Sequence, residues 1–268
     1  MGFSSTVKRH TTISLVTEDI VNHSLFLEKL TAIKSYYKSK IDKETTFPFD
    51  QFDHDAEDRQ ILSYLNKVRK LIDQGIIILV NESEILSSDN KVWDTFLFEG
   101  AQGILLDVNF GFKPHVTQSN TTSRNALQLL ERNFGASKPD TEIFYVTRAY
   151  QTRHGAGPFY QSSTPIKLKG FETETNQYNE YQGEFRISCL NIDQLNYALD
   201  CDRNFSEGVP KNLVVTWLDQ LNPQNILIYK DEKESYIKYN QIPDLLRSQF
   251  EQIKYSFSPS AEVLDSYC

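Results

Sequence analysis

The chain has 268 residues, 24% of them charged and 39% hydrophobic, and a formal charge of −8. That balance excludes a broad DNA- or RNA-binding face, which needs clustered Lys and Arg, but leaves room for a basic pocket sized for one nucleotide. No apolar run approaches the ~20 residues that span a bilayer, the N-terminus lacks a secretory apolar core, and Cys189, Cys201 and Cys268 show neither framework nor zinc spacing, so a cytoplasmic protein is expected.

Residues 11–17 (Thr-Thr-Ile-Ser-Leu-Val-Thr) are β-branched enough for a short strand. From 24 to 40, Leu25, Leu27, Leu30, Ile33 and Tyr36 recur at spacings near three and predict an amphipathic helix. A second helix is expected over 56–73, with Ile61, Leu62, Leu65, Val68 and Leu71 on one face. Residues 76–80 and 94–98 read as strands, the latter leading into Glu99-Gly100-Ala101-Gln102-Gly103. Residues 120–122 supply caps for a helix through Leu130, and 143–150 reads as a central strand. The polar, aromatic stretch 168–184 is a long loop or a hairpin. A short helix over 192–199 and a strand over 213–216 follow. Residues 226–229 and 235–238 read as a β-hairpin around Lys230-Asp231-Glu232-Lys233-Glu234, ahead of a helix over 243–252 and a strand over 253–256. This alternation favours an α/β fold, a mainly parallel central sheet flanked by helices, in a single domain over 1–268.

Three polar turns follow apolar runs between residues 98 and 159, which is how a nucleotide-handling face forms on the rim of a sheet. In the first, small residues let a ligand approach the backbone while the Gln102 carboxamide both donates and accepts. The second, Val116-Thr117-Gln118-Ser119-Asn120-Thr121-Thr122, gathers short polar side chains ahead of a helix, where phosphate binding and simple capping are both open. In the third, Thr152-Arg153-His154-Gly155-Ala156-Gly157-Pro158-Phe159, Arg153 offers an anion partner and the glycines let the loop fold over a site.

In this order and spacing the three segments resemble adenylosuccinate synthetase, the enzyme that joins aspartate to inosine monophosphate at the expense of GTP. The resemblance implies that Gln102 and Thr117 contact inosine monophosphate. It implies that Arg9, in Val7-Lys8-Arg9-His10, reaches a neighbouring subunit's nucleotide phosphate, hence a homodimer. It places Arg153, Gly155 and Gly157 in the family's glycine loop, with His154 standing where valine is usual and read as a surface or packing residue. Asp219, in Thr216-Trp217-Leu218-Asp219, takes the position that reads the guanine base, and Ser256 and Ser258 fall near the same base. Trp217 replaces the family's lysine, so GTP and ATP both stay open.

The likeness covers the C-terminal two-thirds or so of a complete family member. The family's Gly-Asp-Glu-Gly-Lys-Gly-Lys phosphate loop and its catalytic histidine do not occur in this sequence, and Met1-Gly2-Phe3 falls where family chains are in mid-course. After Gly183-Glu184-Phe185 the family's threonine- and arginine-rich loop is missing too; Arg186 is the remnant and is not assigned to the site. No catalytic residue or metal ligand is therefore assigned, and magnesium would find its ligands in the absent segment. The expected function is that of the ligase, in a fragment or divergent member inactive alone. A nucleotide-binding regulatory pseudoenzyme and a synthetase of altered purine specificity are the alternatives. Expected partners are small nucleotides, L-aspartate and a second copy of the chain, with neither nucleic acid nor membrane.

Overall fold

The computed structural model describes residues 13–44, 54–87, 92–137, 139–170, 176, 178–258 and 265–267. The chain divides into two compact units, Met1–Val92 and Trp93–Cys268. Among the described residues no helix is long and apolar enough to cross a membrane.

The first unit is helical, with α1 (His23–Glu44), α2 (His54–Asp73) and the single turn α3 (Glu82–Ile85). The predicted face of α2 is the one that packs: Leu65 is fully buried, and Ile61, Leu62, Val68 and Leu71 are half-buried beside it. Ile33 of α1 is buried too, and Lys34 bridges Glu57 and Asp58 of α2 at 2.7 Å each. The strand expected over 11–17 does not form where it is described. Residues 13–16 are irregular and Thr17–Val21 is a 3₁₀ helix. The buried Asp19 carboxylate accepts the Val16 N–H at 2.8 Å and a Lys29 ammonium at 2.7 Å, and such local bonding competes with strand pairing.

The second unit holds the sheets. Strands β1 (Ile143–Arg148), β4 (Lys211–Thr216) and β7 (Gln252–Tyr255) are parallel, with β8 (Asp265–Tyr267) antiparallel to β7, in the order β1-β4-β7-β8. A second, mixed sheet has the order β2-β3-β5-β6, built from β2 (Tyr150–His154), β3 (Phe185–Asn191), β5 (Ile226–Lys230) and β6 (Lys233–Ile237). Helices α4 (Arg124–Phe134) and α5 (Ile192–Arg203) complete the unit. Leu190, Ile192, Leu213, Val215, Ile226 and Ile228 form the heart of its core. This is the α/β architecture expected, with the parallel sheet as predicted.

Particular elements differ for identifiable reasons. The predicted strand 143–150 is two strands, because the chain leaves one sheet for the other at fully buried Ala149, whose N–H donates to Thr216 O at 3.0 Å. Residues 76–80 and 94–98 have apolar strand composition but no regular structure; Ile76, Ile78 and Leu97 are 68%, 73% and 87% exposed. A strand needs a hydrogen-bonded neighbour, and none is present for them among the described residues. The helix expected over 243–252 shrinks to one 3₁₀ turn, Pro243–Leu245. The buried Asn196 side chain donates to Leu245 O at 3.2 Å and accepts the Arg247 N–H at 2.8 Å, drawing away the groups that would continue a helix. Asp231 and Glu232, at φ 48° and 63°, make the β5–β6 hairpin a two-residue turn of the primed type, tighter than predicted. Of the loop or hairpin at 168–184, residues 171–175 and 177 lie outside the described residues, and Asn179 and Gly183 pair across a short turn.

Candidate functional site

The loops carrying Gln102 and Thr117 are bonded to each other. The Thr117 N–H donates to Leu106 O at 2.8 Å, the Val108 N–H to Ser119 O at 3.1 Å, and the Thr121 hydroxyl to Gly103 O, next to Gln102, at 3.1 Å. At the centre is Asp107, fully buried and fixed between the two segments. One of its oxygens accepts the Asn109 N–H at 2.7 Å and the Phe110 N–H at 3.3 Å, while the other takes the Thr121 N–H at 2.6 Å. Gln102 is exposed and Thr117 half-buried, with its hydroxyl 3.3 Å from that of Ser119. Sequence reasoning passed over Asp107. Its signal was an aspartate two residues ahead of Asn109, closing the apolar run 104–106, an arrangement that favours an Asx turn.

The assembly rests on α5. Tyr197 donates to Phe110 O at 2.7 Å and stacks on Phe112, with ring centroids 6.0 Å apart. The predicted caps at 120–122 hold the loops instead: Asn120 accepts from the Asn109 amide at 2.9 Å, and Thr121 bonds Gly103 and Asp107. Helix α4 begins after Ser123, whose N–H and hydroxyl donate to the buried Asp202 at the end of α5, at 2.7 and 2.8 Å. Tyr145 of β1 donates to the same carboxylate at 2.5 Å, and burial together with that carboxylate raises its pKa.

The glycine loop joins the same group. Arg153, near the end of β2, donates from Nε to Ala156 O at 2.9 Å and from Nη2 to His115 O at 3.1 Å, tying 153–157 to the segment that leads into Thr117. Gly157, at φ +113°, passes so close that a Cβ there would lie 2.2 Å from Arg153 Nη2 and 2.8 Å from His115 Cβ. Gly155, at φ +84°, would place a Cβ 2.9 Å from Gln182 O. Both positions therefore require glycine. His154 is half-buried, with Nε2 3.3 Å from the Asn179 amide and its ring edge-on to Phe185, a packing environment. Burial and the neighbouring Arg186 charge push the Arg153 pKa below its ordinary value.

Asp219, Ser256 and Ser258 gather elsewhere, at the carboxyl ends of the parallel strands β4 and β7, where open α/β sheets receive ligands. The Leu218 N–H donates to Ser256 O at 3.1 Å, the Ser256 N–H to Val215 O at 2.9 Å, and the Ser256 hydroxyl to Ser258 O at 3.2 Å. Asp219 is half-buried in the 3₁₀ turn Leu218–Gln220. Trp217 precedes that turn in the left-handed region, at φ 62°, a conformation uncommon for a bulky residue. The Arg148 guanidinium, at the carboxyl end of β1, lies 4.5 Å from its ring centroid. A cleft lined by Leu127, Leu130, Glu142, Pro210 and Glu251 opens at the opposite, amino ends of β1 and β4 and touches neither group. Arg9 lies outside the described residues.

Comparison with known proteins agrees with the motif order. The family model for adenylosuccinate synthetase matches residues 3–222, which takes in every assigned position except Ser256 and Ser258. The adenylosuccinate synthetase of Coxiella burnetii (strain Dugway 5J108-111) is 30% identical over 204 residues, covering 76% of this chain and 43% of that protein. That of Shewanella oneidensis is 33% identical over 141 residues, 53% of this chain and 30% of its own. That of Thermoplasma volcanium is 28% identical over 188 residues, 69% and 40% respectively. The chain spans less than half the length of these curated relatives. On the extent of the family match, the chain belongs to the adenylosuccinate synthetase family.

Proposed function

We propose that this chain is the nucleotide-binding portion of a purine-biosynthesis ligase that makes adenylosuccinate from inosine monophosphate, L-aspartate and GTP. The observation that carries the reading is the bonded pair of loops, which holds Gln102 and Thr117 on adjoining segments. On this reading Gln102 and Thr117 bind inosine monophosphate and the Arg153–Gly157 loop borders it. Asp219, with Ser256 and Ser258, holds the base of the nucleoside triphosphate. An acceptor-only carboxylate suits the N1–H and amino group of guanine. Arg9 would complete the monophosphate site across a homodimer, and the setting would be cytoplasmic.

The chain's own contribution is binding and orientation. Among the described residues no group of three or more His, Cys, Asp or Glu could hold a metal ion. Magnesium, which needs only one or two protein carboxylates beside nucleotide phosphates, would find its ligands in the family segment that does not occur in this sequence. By itself the 268-residue chain is expected to show no ligase turnover.

Calorimetric titration of the purified chain with inosine monophosphate tests the reading. Binding that weakens at least tenfold in both Gln102→Ala and Thr117→Ala, with no adenylosuccinate formed from the three substrates, is the expected result. Equal affinity in both variants removes the assignment of the loops. Adenylosuccinate formation by the chain alone contradicts the binding-only role.

A further inference from the structure

Trp217 stands in the left-handed region, at φ 62°, between β4 and the 3₁₀ turn that carries Asp219. That conformation costs a bulky residue energy that glycine would not incur there, and strain held at one residue points to what its side chain does. The indole is half-buried and meets no other aromatic ring among the described residues. Its N–H has no acceptor, and the Asp219 carboxylate two residues on has no donor, among the same residues. What the ring does meet is a charge. The Arg148 guanidinium lies over it at 4.5 Å from the centroid, and 5.7 Å from the centroid of Tyr150, within cation–π reach of both. Tyr150 is buried and donates to Gln220 Oε1 at 2.6 Å, and Gln220 closes the turn that follows Trp217. Arg148 is thereby braced behind one face of the indole.

The alternative is that the Trp217–Arg148 contact only fastens β4 to β1. Fastening explains the contact; it does not explain a strained backbone beneath the ring, nor two unfilled polar groups beside it. We infer that the face of Trp217 turned from Arg148 is a stacking platform for the nucleobase of a purine nucleotide, giving layers of base, indole and guanidinium. The inference rests on the function proposed above and names, within its triphosphate site, the side chain that supplies affinity. Stacking is indifferent to base identity because every base has a π-face. Trp217 therefore holds guanine and adenine alike, and Asp219, which only accepts hydrogen bonds, is left with the discrimination between them.

The chain has two tryptophans, so Trp93→Phe leaves Trp217 as the sole reporter. The full chain carrying that change is titrated with GDP, with ADP and, as a phosphate-only control, with pyrophosphate. Both nucleotides should quench the fluorescence and pyrophosphate should not. By calorimetry, Trp217→Ala should weaken GDP and ADP by the same factor, about tenfold, with Trp217→Phe keeping most of the affinity. Asp219→Ala should weaken GDP more than ADP. A thermal melt checks that each variant folds. Nucleotides that bind without quenching, or a Trp217→Ala chain that binds both as wild type does or loses only one, refute the platform. GDP binding that then depends on Asp219 alone leaves the assignment of Asp219 standing. If neither nucleotide binds, the platform falls, while inosine monophosphate binding that weakens in Gln102→Ala keeps the rest of the proposed function.

Discussion

Replacing Asp107 tests whether the loops carrying Gln102 and Thr117 are one device. Its carboxylate, fully buried, accepts the N–H groups of Asn109, Phe110 and Thr121. Hydrogen bonds to a charged group contribute ~1.5–3 kcal/mol each, and removing the acceptor leaves its donors unsatisfied. The Phe110 bond is long at 3.3 Å, and bonds sharing one acceptor do not add. We therefore expect Asp107→Ala to cost ~3 kcal/mol, a large part of the ~5–15 kcal/mol that stabilises an ordinary domain. Asp107→Asn is the finer probe. Its amide can keep one oxygen on Asn109 and Phe110, but must present N–H₂ to the Thr121 N–H, so the bond between the loops is the one lost. It should cost ~1–2 kcal/mol and weaken inosine monophosphate binding about tenfold, a change of ~1.4 kcal/mol. Urea unfolding gives the first quantity and calorimetry the second. Variants that melt like wild type, or that lose stability while binding inosine monophosphate unchanged, would refute the reasoning.

Three further outcomes follow from the same geometry. Gly157→Ala forces a Cβ to within 2.2 Å of Arg153 Nη2 at a left-handed φ; it should cost ~2 kcal/mol by urea unfolding and displace Arg153 from His115. Asp202→Ala strips the acceptor from Ser123 and Tyr145; it should cost ~3 kcal/mol, and spectrophotometric titration should show a raised tyrosine pKa falling toward the ordinary ~10 of that side chain. The segment carrying Tyr160 and Ser163 is held to β6 by Glu234, whose pKa is lowered by hydrogen bonds from Ser163 and Tyr160, while the bond to Glu234 raises Tyr160 to about 12. A lowered acid stabilises above its unfolded pKa and loses that contribution as pH falls through the folded one; a raised tyrosine stabilises below 10.0 and loses it as pH climbs toward about 12. Protection of the Ser163 amide from hydrogen exchange, corrected for intrinsic rate, should therefore be flat between ~pH 5 and 10 and decline on both sides; a Glu234→Gln chain should lose the acid limb.

Much of this molecule was legible in its residues because local rules and tertiary packing agreed. Leu65 lies where the α2 periodicity places the inward face, and the apolar runs at 213–216 and 226–229 become core strands. Legibility failed where a distant partner decides the outcome. Nothing near residue 245 announces that Asn196 will take its carbonyl. Nothing around Ala149 says that a strand will change sheets there. Residues 76–80 and 94–98 have strand composition, but pairing is a property of two segments, and periodicity sees one. At the site, glycines and polar turns marked the loops. Of the groups that hold them, Asp107 was passed over because a buried carboxylate carries no periodic signature, and Arg186, named as a remnant but left unassigned, donates to Gly157 O at 3.1 Å.

The central claim is that Gln102 and Thr117 face one purine ribonucleotide. A crystal structure of the chain with inosine monophosphate tests it most directly. The account predicts a single bound nucleotide with polar atoms within hydrogen-bonding distance of both the Gln102 carboxamide and the Thr117 hydroxyl. Nucleotide bound away from both side chains, or touching only one of them, would contradict it.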